Sequence, residues 1–252
     1  MHAYAQTNIQ LFNQLHRDGY RSADLEKVVA AHELAATLMT GQFRASGKTF
    51  IAHLVGTASI VASVQAACPI VAAALVHAAY SAGDFGDDRL GPSDAKRDQV
   101  RSAVGDEVED YVWRYHNLPW DDQTVRSVAE KLDRMTAVER GVVLMRLANE
   151  LEDFLDLGML YCGDQKRGWT SASPRSQSMI GMARNLGYPA LAEELQRTFD
   201  ETTHAVLPPE LLRKDARNAS FLLPPRSYQR LKDFFAARLA SLEQARQTPR
   251  KT

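Results

Sequence analysis

The sequence predicts an all-α fold, and three observations predict it. Apolar residues recur at three- and four-residue spacing through most of the 252 residues. Glycine, proline and capping residues interrupt that pattern at helix-length intervals. No apolar/polar alternation persists long enough to mark a strand, no Gly-x-Gly-x-x-Gly follows one, and no internal repeat is visible. A hydrophobic share of 45% and a charged share of 24% are those of an ordinary globular chain.

The elements follow in order. Ile9, Leu11, Phe12 and Leu15 form one apolar stripe, closed by Asp18-Gly19. Ser22 opens a helix carrying Leu25, Val28, Val29, His32, Leu34, Leu38 and Met39, ended by Gly41. Residues 41–48 form a polar loop bracketed by glycines. Residues 54–79 then hold no charge and are long enough to cross a bilayer. Their Ala, Val, Gly and Ser content, with Gln65 inside and Pro69 after Cys68, predicts two buried helices broken near 67–69 instead. After a loop at 83–92, Ser93 caps a helix with Val100 and Val104, and Asp106 begins one with Val108, Val112 and Tyr115.

Residues 119–122 punctuate again, and helical segments at 125–132 and 138–157 follow. Residues 163–178 read as a polar loop, and helices resume from 179 to about 186 and from 189 to about 206. Pro208-Pro209 and Pro224-Pro225 bracket a short element, and 227–247 read as a final surface helix. The expected organisation is a helical domain over 1–207 with a helical extension, 208–252, packed on it.

Charge and cysteines narrow the function. Lys and Arg number 30 against 31 Asp and Glu, a net charge of −1, which disfavours a nucleic-acid polymer as partner. Cys68 and Cys162 make neither a disulfide framework nor a paired-cysteine zinc site. The opening MHAYAQTNIQ has no basic start followed by an apolar core, so a cytoplasmic protein, neither secreted nor in a membrane, is expected. Composition leaves a homo-oligomer open.

The residues that carry chemistry are two histidines bounding the uncharged helix pair. His53 opens the first helix and His77 lies near the end of the second, so the two can share a pocket as acid or base. His32, His116 and His204 have no such context.

Ordered motifs sharpen this reading. Residues 41–54 read Gly-Gln-Phe-Arg-Ala-Ser-Gly-Lys-Thr-Phe-Ile-Ala-His-Leu, and 73–77 read Ala-Ala-Leu-Val-His. Residues 104–108 read Val-Gly-Asp-Glu-Val, 144–151 Leu-Met-Arg-Leu-Ala-Asn-Glu-Leu, and 182–187 Met-Ala-Arg-Asn-Leu-Gly, followed by Glu193-Glu194-Leu195. In order and spacing, from about 20 to 205, this series resembles the RelA/SpoT-type alarmone (ppGpp) hydrolase domain of the HD superfamily. The resemblance implies an HD-type helical bundle. It also implies a divalent metal, typically manganese, held by His, His-Asp and a distant Asp.

At those positions this chain has His53, His77-Ala78 and Asn149, so both anionic ligands are missing. The pair that manages the attacking water falls on Ser81-Ala82. Manganese favours carboxylate oxygen, so no metal is expected at these residual positions, and standard HD phosphohydrolase activity is not expected. Manganese or another divalent ion enters only if the site is rebuilt. Asp84 joins His77 only if that helix runs on two turns, and Asp153 follows Asn149 by one turn. Glu150, Glu152 and Asp153 read as a solvated helix edge.

Arg44 and Ser46 keep identities that, by the resemblance, contact a guanine nucleotide, and Arg44 suits phosphate or a planar base. Arg146, Arg184 and Asn185 are further candidates for contacting an anion. Asn149 lines the same pocket, and Tyr80 offers a hydroxyl one turn from His77. The expected function is a degenerate HD-type protein that binds a nucleotide or other small anionic metabolite, or runs metal-independent chemistry at His53 and His77. A metal-dependent phosphohydrolase with a rebuilt site is one alternative. The other is a structural or interaction protein with a vestigial pocket.

Overall fold

Local signals start the helices. Thr7 and Gln10 form a capping box at α1 (Asn8–Arg17), and α2 (Ser22–Leu38) follows after Gly19 at φ +82°. Thr49 caps α3 (Phe50–Ser63), and Pro69 sits in the first turn of α4 (Cys68–Val76), where its missing N–H costs nothing. A single turn, α5 (Ala79–Ala82), precedes α6 (Asp94–Val104), which Ser93 caps. Gly105, at φ +88°, ends α6 and leads into α7 (Asp106–Asn117), a backbone that a side chain would strain. Asp121 caps α8 (Asp122–Lys131), and a Thr136–Glu139 capping box opens α9 (Ala137–Phe154). The last two are α10 (Pro174–Asn185) and α11 (Pro189–His204). The computed structural model describes residues 4–163, 170–212, 217–227, 229–231, 233–235 and 238.

Among the described residues the architecture is all-α, with eleven α-helices and one minimal sheet. The uncharged pair forms its centre. Every residue of α3 from His53 to Ala62 is buried, and α4 packs against α2, α3 and α7. A helix covered on all sides can be apolar all round, which accounts for the uncharged run. No described helix is long and apolar enough to cross a membrane. α9 lies against α3 and presents its second half to the start of that helix.

Three details differ from the sequence reading. α10 starts at Pro174, inside the stretch read as loop, because Ser173 caps it and its first buried residue, Ser176, is polar. α9 ends at Phe154, short of 157, where Asp156 and Leu157 turn left-handed at φ 58° and 60°. Two two-residue strands pair antiparallel, β1 (Gln42–Phe43) with β2 (Phe221–Leu222), and the rings of Phe43 and Phe221 stack with centroids 5.4 Å apart. Gly41, at φ +73°, accepts a 2.8 Å hydrogen bond from Leu223 N, and a Cβ there would lie 3.0 Å from Leu223 O. The expected final helix, 227–247, falls largely outside the described residues.

Between α3 and α4 the exposed Gln65 holds φ +56°, a left-handed conformation disfavoured for a residue with a Cβ. Gln65→Gly should therefore stabilise the fold by about 0.5–1 kcal/mol, the relieved strain being partly offset by unfolded-state freedom. An unchanged or lower melting temperature would show that the turn carries no strain.

Candidate functional site

His53 occupies the first turn of α3 and is fully buried, and His77 caps the C-terminus of α4 at 3% exposure. Their ring centroids lie 5.4 Å apart. Asn149, on α9, places Oδ1 3.1 Å from His53 Nε2. The structure thus brings the three resembled ligand positions together. Ala78 is buried beside His77 and offers no ligand atom, and Asp84 is exposed beyond the end of α5.

His77 has a fixed role in hydrogen bonding. Its Nδ1 lies 2.8 Å from the Ala74 carbonyl, which only accepts, so Nδ1 carries the proton. Burial, with the neighbouring His53 adding to it, pushes the imidazole down to about 3. His77 therefore stays neutral at physiological pH. Its ring also packs on Tyr115, centroids 4.8 Å apart.

The α9 carboxylates overturn the solvated-edge reading. Glu152 is 1% exposed, and its two oxygens contact His53 Nδ1 and Lys48 Nζ. Gly56, one turn after His53, makes the space: a Cβ there would lie 2.8 Å from Glu152 Cγ and Oε1. Asp153 holds Arg44 Nη2 at 2.5 and 2.6 Å from its two oxygens. Glu150 is mostly covered and lies 3.2 Å from Arg175. Burial raises its carboxyl to about 7, with Asp153 adding to the rise against Arg175 and Arg146. A carboxylate triplet on one helix end reads as solvent-facing in sequence. The signals that could have placed Glu152 inside were Gly56 in the facing helix and the two cations of the preceding loop.

That loop is a tight turn, with Gly47 N donating to Arg44 O at 2.9 Å and Arg44 N to Lys48 O at 2.8 Å. It directs Arg44 and Lys48 inward over the buried histidines, each side chain about a fifth exposed (21% and 22%). Ser46 is half-buried in the same turn. The other candidates go elsewhere. Arg146 donates to the carbonyls of Tyr115 and Leu118 at 2.7 and 2.5 Å and stacks on Tyr115. Arg184 and Asn185 are exposed at the end of α10.

Tyr80 donates to Glu109 Oε1 at 2.8 Å, within a second buried cluster. There Arg97 binds both Glu109 oxygens at 2.7 and 2.9 Å, and Arg101 adds a bond at 3.2 Å. Cavities of 310, 360 and 210 Å³ open elsewhere, and none of the three is lined by His53, His77 or Asn149.

Two of the positions that the resemblance assigns to metal ligands, Ala78 and Asn149, carry no carboxylate. His53 Nε2 and Asn149 Oδ1 bond to each other. Residues 34–119 match the model of a domain of unknown function, DUF6817. That span contains Arg44, Lys48, His53 and His77 and stops short of α9. No curated protein matches the chain. It is similar to the solved structure of a metazoan SpoT ortholog that hydrolyses ppGpp and plays a role in starvation responses. The identity there is 22%, over 71% of this chain and 96% of that one, with a TM-score of 0.46.

Proposed function

We propose that the chain is a degenerate HD-type protein that binds a nucleotide or another small anionic metabolite and does not hydrolyse it by the family's metal mechanism. The ordered motifs over about 20–205 and the meeting of His53, His77 and Asn149 support the HD-type reading. Ala78, Asn149 and Ser81-Ala82 speak against the hydrolytic one.

One observation carries the anion reading. Arg44 uses only Nη2 on Asp153, and among the described residues no hydrogen bond engages its Nε or Nη1. That leaves Nε–H and the Nη1 amino group of a part-exposed guanidinium as separate charged donors, which suit the oxygens of a phosphate or carboxylate. Lys48, by contrast, is committed to the buried Glu152.

The test is calorimetry of the full chain against guanine and adenine nucleotides, guanosine tetraphosphate included. Binding should fall about tenfold or more in Arg44→Ala, the loss of a charge-assisted contact worth roughly 1.5–3 kcal/mol, and fall less in Lys48→Ala. No uptake across the panel, or an affinity indifferent to Arg44, overturns the reading. Turnover of guanosine tetraphosphate overturns its non-hydrolytic half. A structural protein with a vestigial pocket is the second reading, favoured because the polar groups around the histidines bond one another, His53 to Glu152 and Asn149, Lys48 to Glu152 and Arg44 to Asp153.

A further inference from the structure

The partners of His53 determine which of its ring nitrogens carries hydrogen. Asn149 Nδ2 lies 3.3 Å from Asp153 Oδ2. A carboxylate only accepts, so this contact assigns the amide nitrogen to the Asp153 side and Oδ1 to the His53 side. Oδ1 accepts in its turn, so His53 Nε2, 3.1 Å away, donates.

In a neutral imidazole that leaves a lone pair on Nδ1. Nδ1 touches Glu152 Oε2 and lies 3.6 Å from Asp153 Oδ1. A lone pair facing two carboxylates is repulsive, so a cation belongs between them. A proton joins Nδ1 to Glu152 alone, because 3.6 Å is beyond a hydrogen bond. A metal ion serves all three groups. One ligand atom from each of His53, Glu152 and Asp153 lies within 4.8 Å of the others, and an ion about 2.0–2.2 Å from nitrogen and oxygen ligands spans such a set.

We propose that His53 Nδ1 and the carboxylates of Glu152 and Asp153 form a site for a divalent transition ion of the zinc or manganese kind. One imidazole and two carboxylates suit either ion. The site uses the Nδ1 edge of His53, whereas Asn149 closes the Nε2 edge, and it takes nothing from His77. Asn149 acts as the outer acceptor that orients a ligating histidine, and Lys48 and Arg44 orient the two carboxylates. Because those cations already offset both carboxylates, the affinity is moderate.

This site does not depend on the anion reading, and the experiment separates the two. The full chain, stripped with chelator, is titrated by calorimetry with zinc chloride and, separately, manganese chloride, with no nucleotide present. One equivalent of at least one ion should bind and raise the melting temperature. Asp153→Asn should weaken that binding at least tenfold, Glu152→Gln should do the same as a second variant, and His77→Ala should leave it unchanged. Metal-free melts establish that each variant folds.

If the wild type takes up neither ion, the cation is a proton and the proposal fails. If His77→Ala loses the ion as fully as Asp153→Asn, the ligand set is wrong and the proposal fails too. Nucleotide titrations in chelator read the anion site on their own. Metal uptake without nucleotide binding sinks only that earlier reading, and nucleotide binding without metal uptake sinks only this one.

Discussion

Glu152→Ala is expected to cost the fold about 3–5 kcal/mol, because it strips both partners from a buried charge cluster. Glu152 is 1% exposed and holds His53 Nδ1 and Lys48 Nζ on its two oxygens. Truncation leaves the Nδ1 edge of the fully buried His53 without its partner and opens a void over Gly56. In a chain of this length each kcal/mol shifts the melting temperature by about 2–4 °C, so a fall of roughly 10 °C should be seen. Lys48→Met should also destabilise, because it leaves the Glu152 carboxylate, 1% exposed, with His53 as its remaining side-chain partner. The double change should recover part of the loss, a positive coupling readable from a double-mutant cycle. Strict additivity, or a melting shift of only a degree or two, would mean that Glu152 is not held as described.

Glu109→Ala should destabilise by a similar amount, about 3–5 kcal/mol, through a different set of partners. Arg97, Arg101 and Tyr80 all donate to this buried carboxylate and would face one another without it. Burial alone would raise the Glu109 carboxyl, but the hydrogen bonds from Arg97 and Tyr80 outweigh it and hold it below its ordinary range. A carboxyl depressed in the folded state contributes stability that is complete above its unfolded value, about 4.3, and is lost as pH falls through the folded one. Melting curves between neutral and acid pH should thus show a shallower decline in Glu109→Ala than in the wild type. An equal decline would assign the acid sensitivity to other carboxylates. This variant leaves Arg44 and His53 in place, so nucleotide and metal titrations on it should match the wild type while it remains folded.

Helices announced themselves in sequence where one residue type has one local task. Ser93 caps one helix, and Pro69 divides the uncharged run into two, each through its own backbone or the next turn. The approach of His53 and His77 was legible for a related reason, since two short apolar helices broken at Pro69 must pack side by side. The α9 carboxylates were not legible, because their burial depends on residues a hundred positions away. Gly56 makes room for Glu152, and the turn at 44–48 turns two cations inward. Nor could two-residue strands be read, since an alternating pattern needs more length than Gln42–Phe43 and Phe221–Leu222 provide. The distinct fates of Arg44 and Arg146, one at the site's mouth and one tied to two carbonyls, likewise lie in tertiary contacts.

The β1–β2 pairing also sets a timetable for synthesis. The strand that leads directly into Arg44 finds its partner far along the chain, at Phe221–Leu222, with Gly41 and Leu223 closing the join. Contacts so distant in sequence form late, after the chain between them has condensed. As the protein emerges from the ribosome, α1 to α9 can already collapse around the uncharged helices while the arginine-bearing turn still lacks its clamp. The core is then a scaffold that matures before its own mouth, and the Arg44 turn gains its β partner only once residue 223 has cleared the exit tunnel.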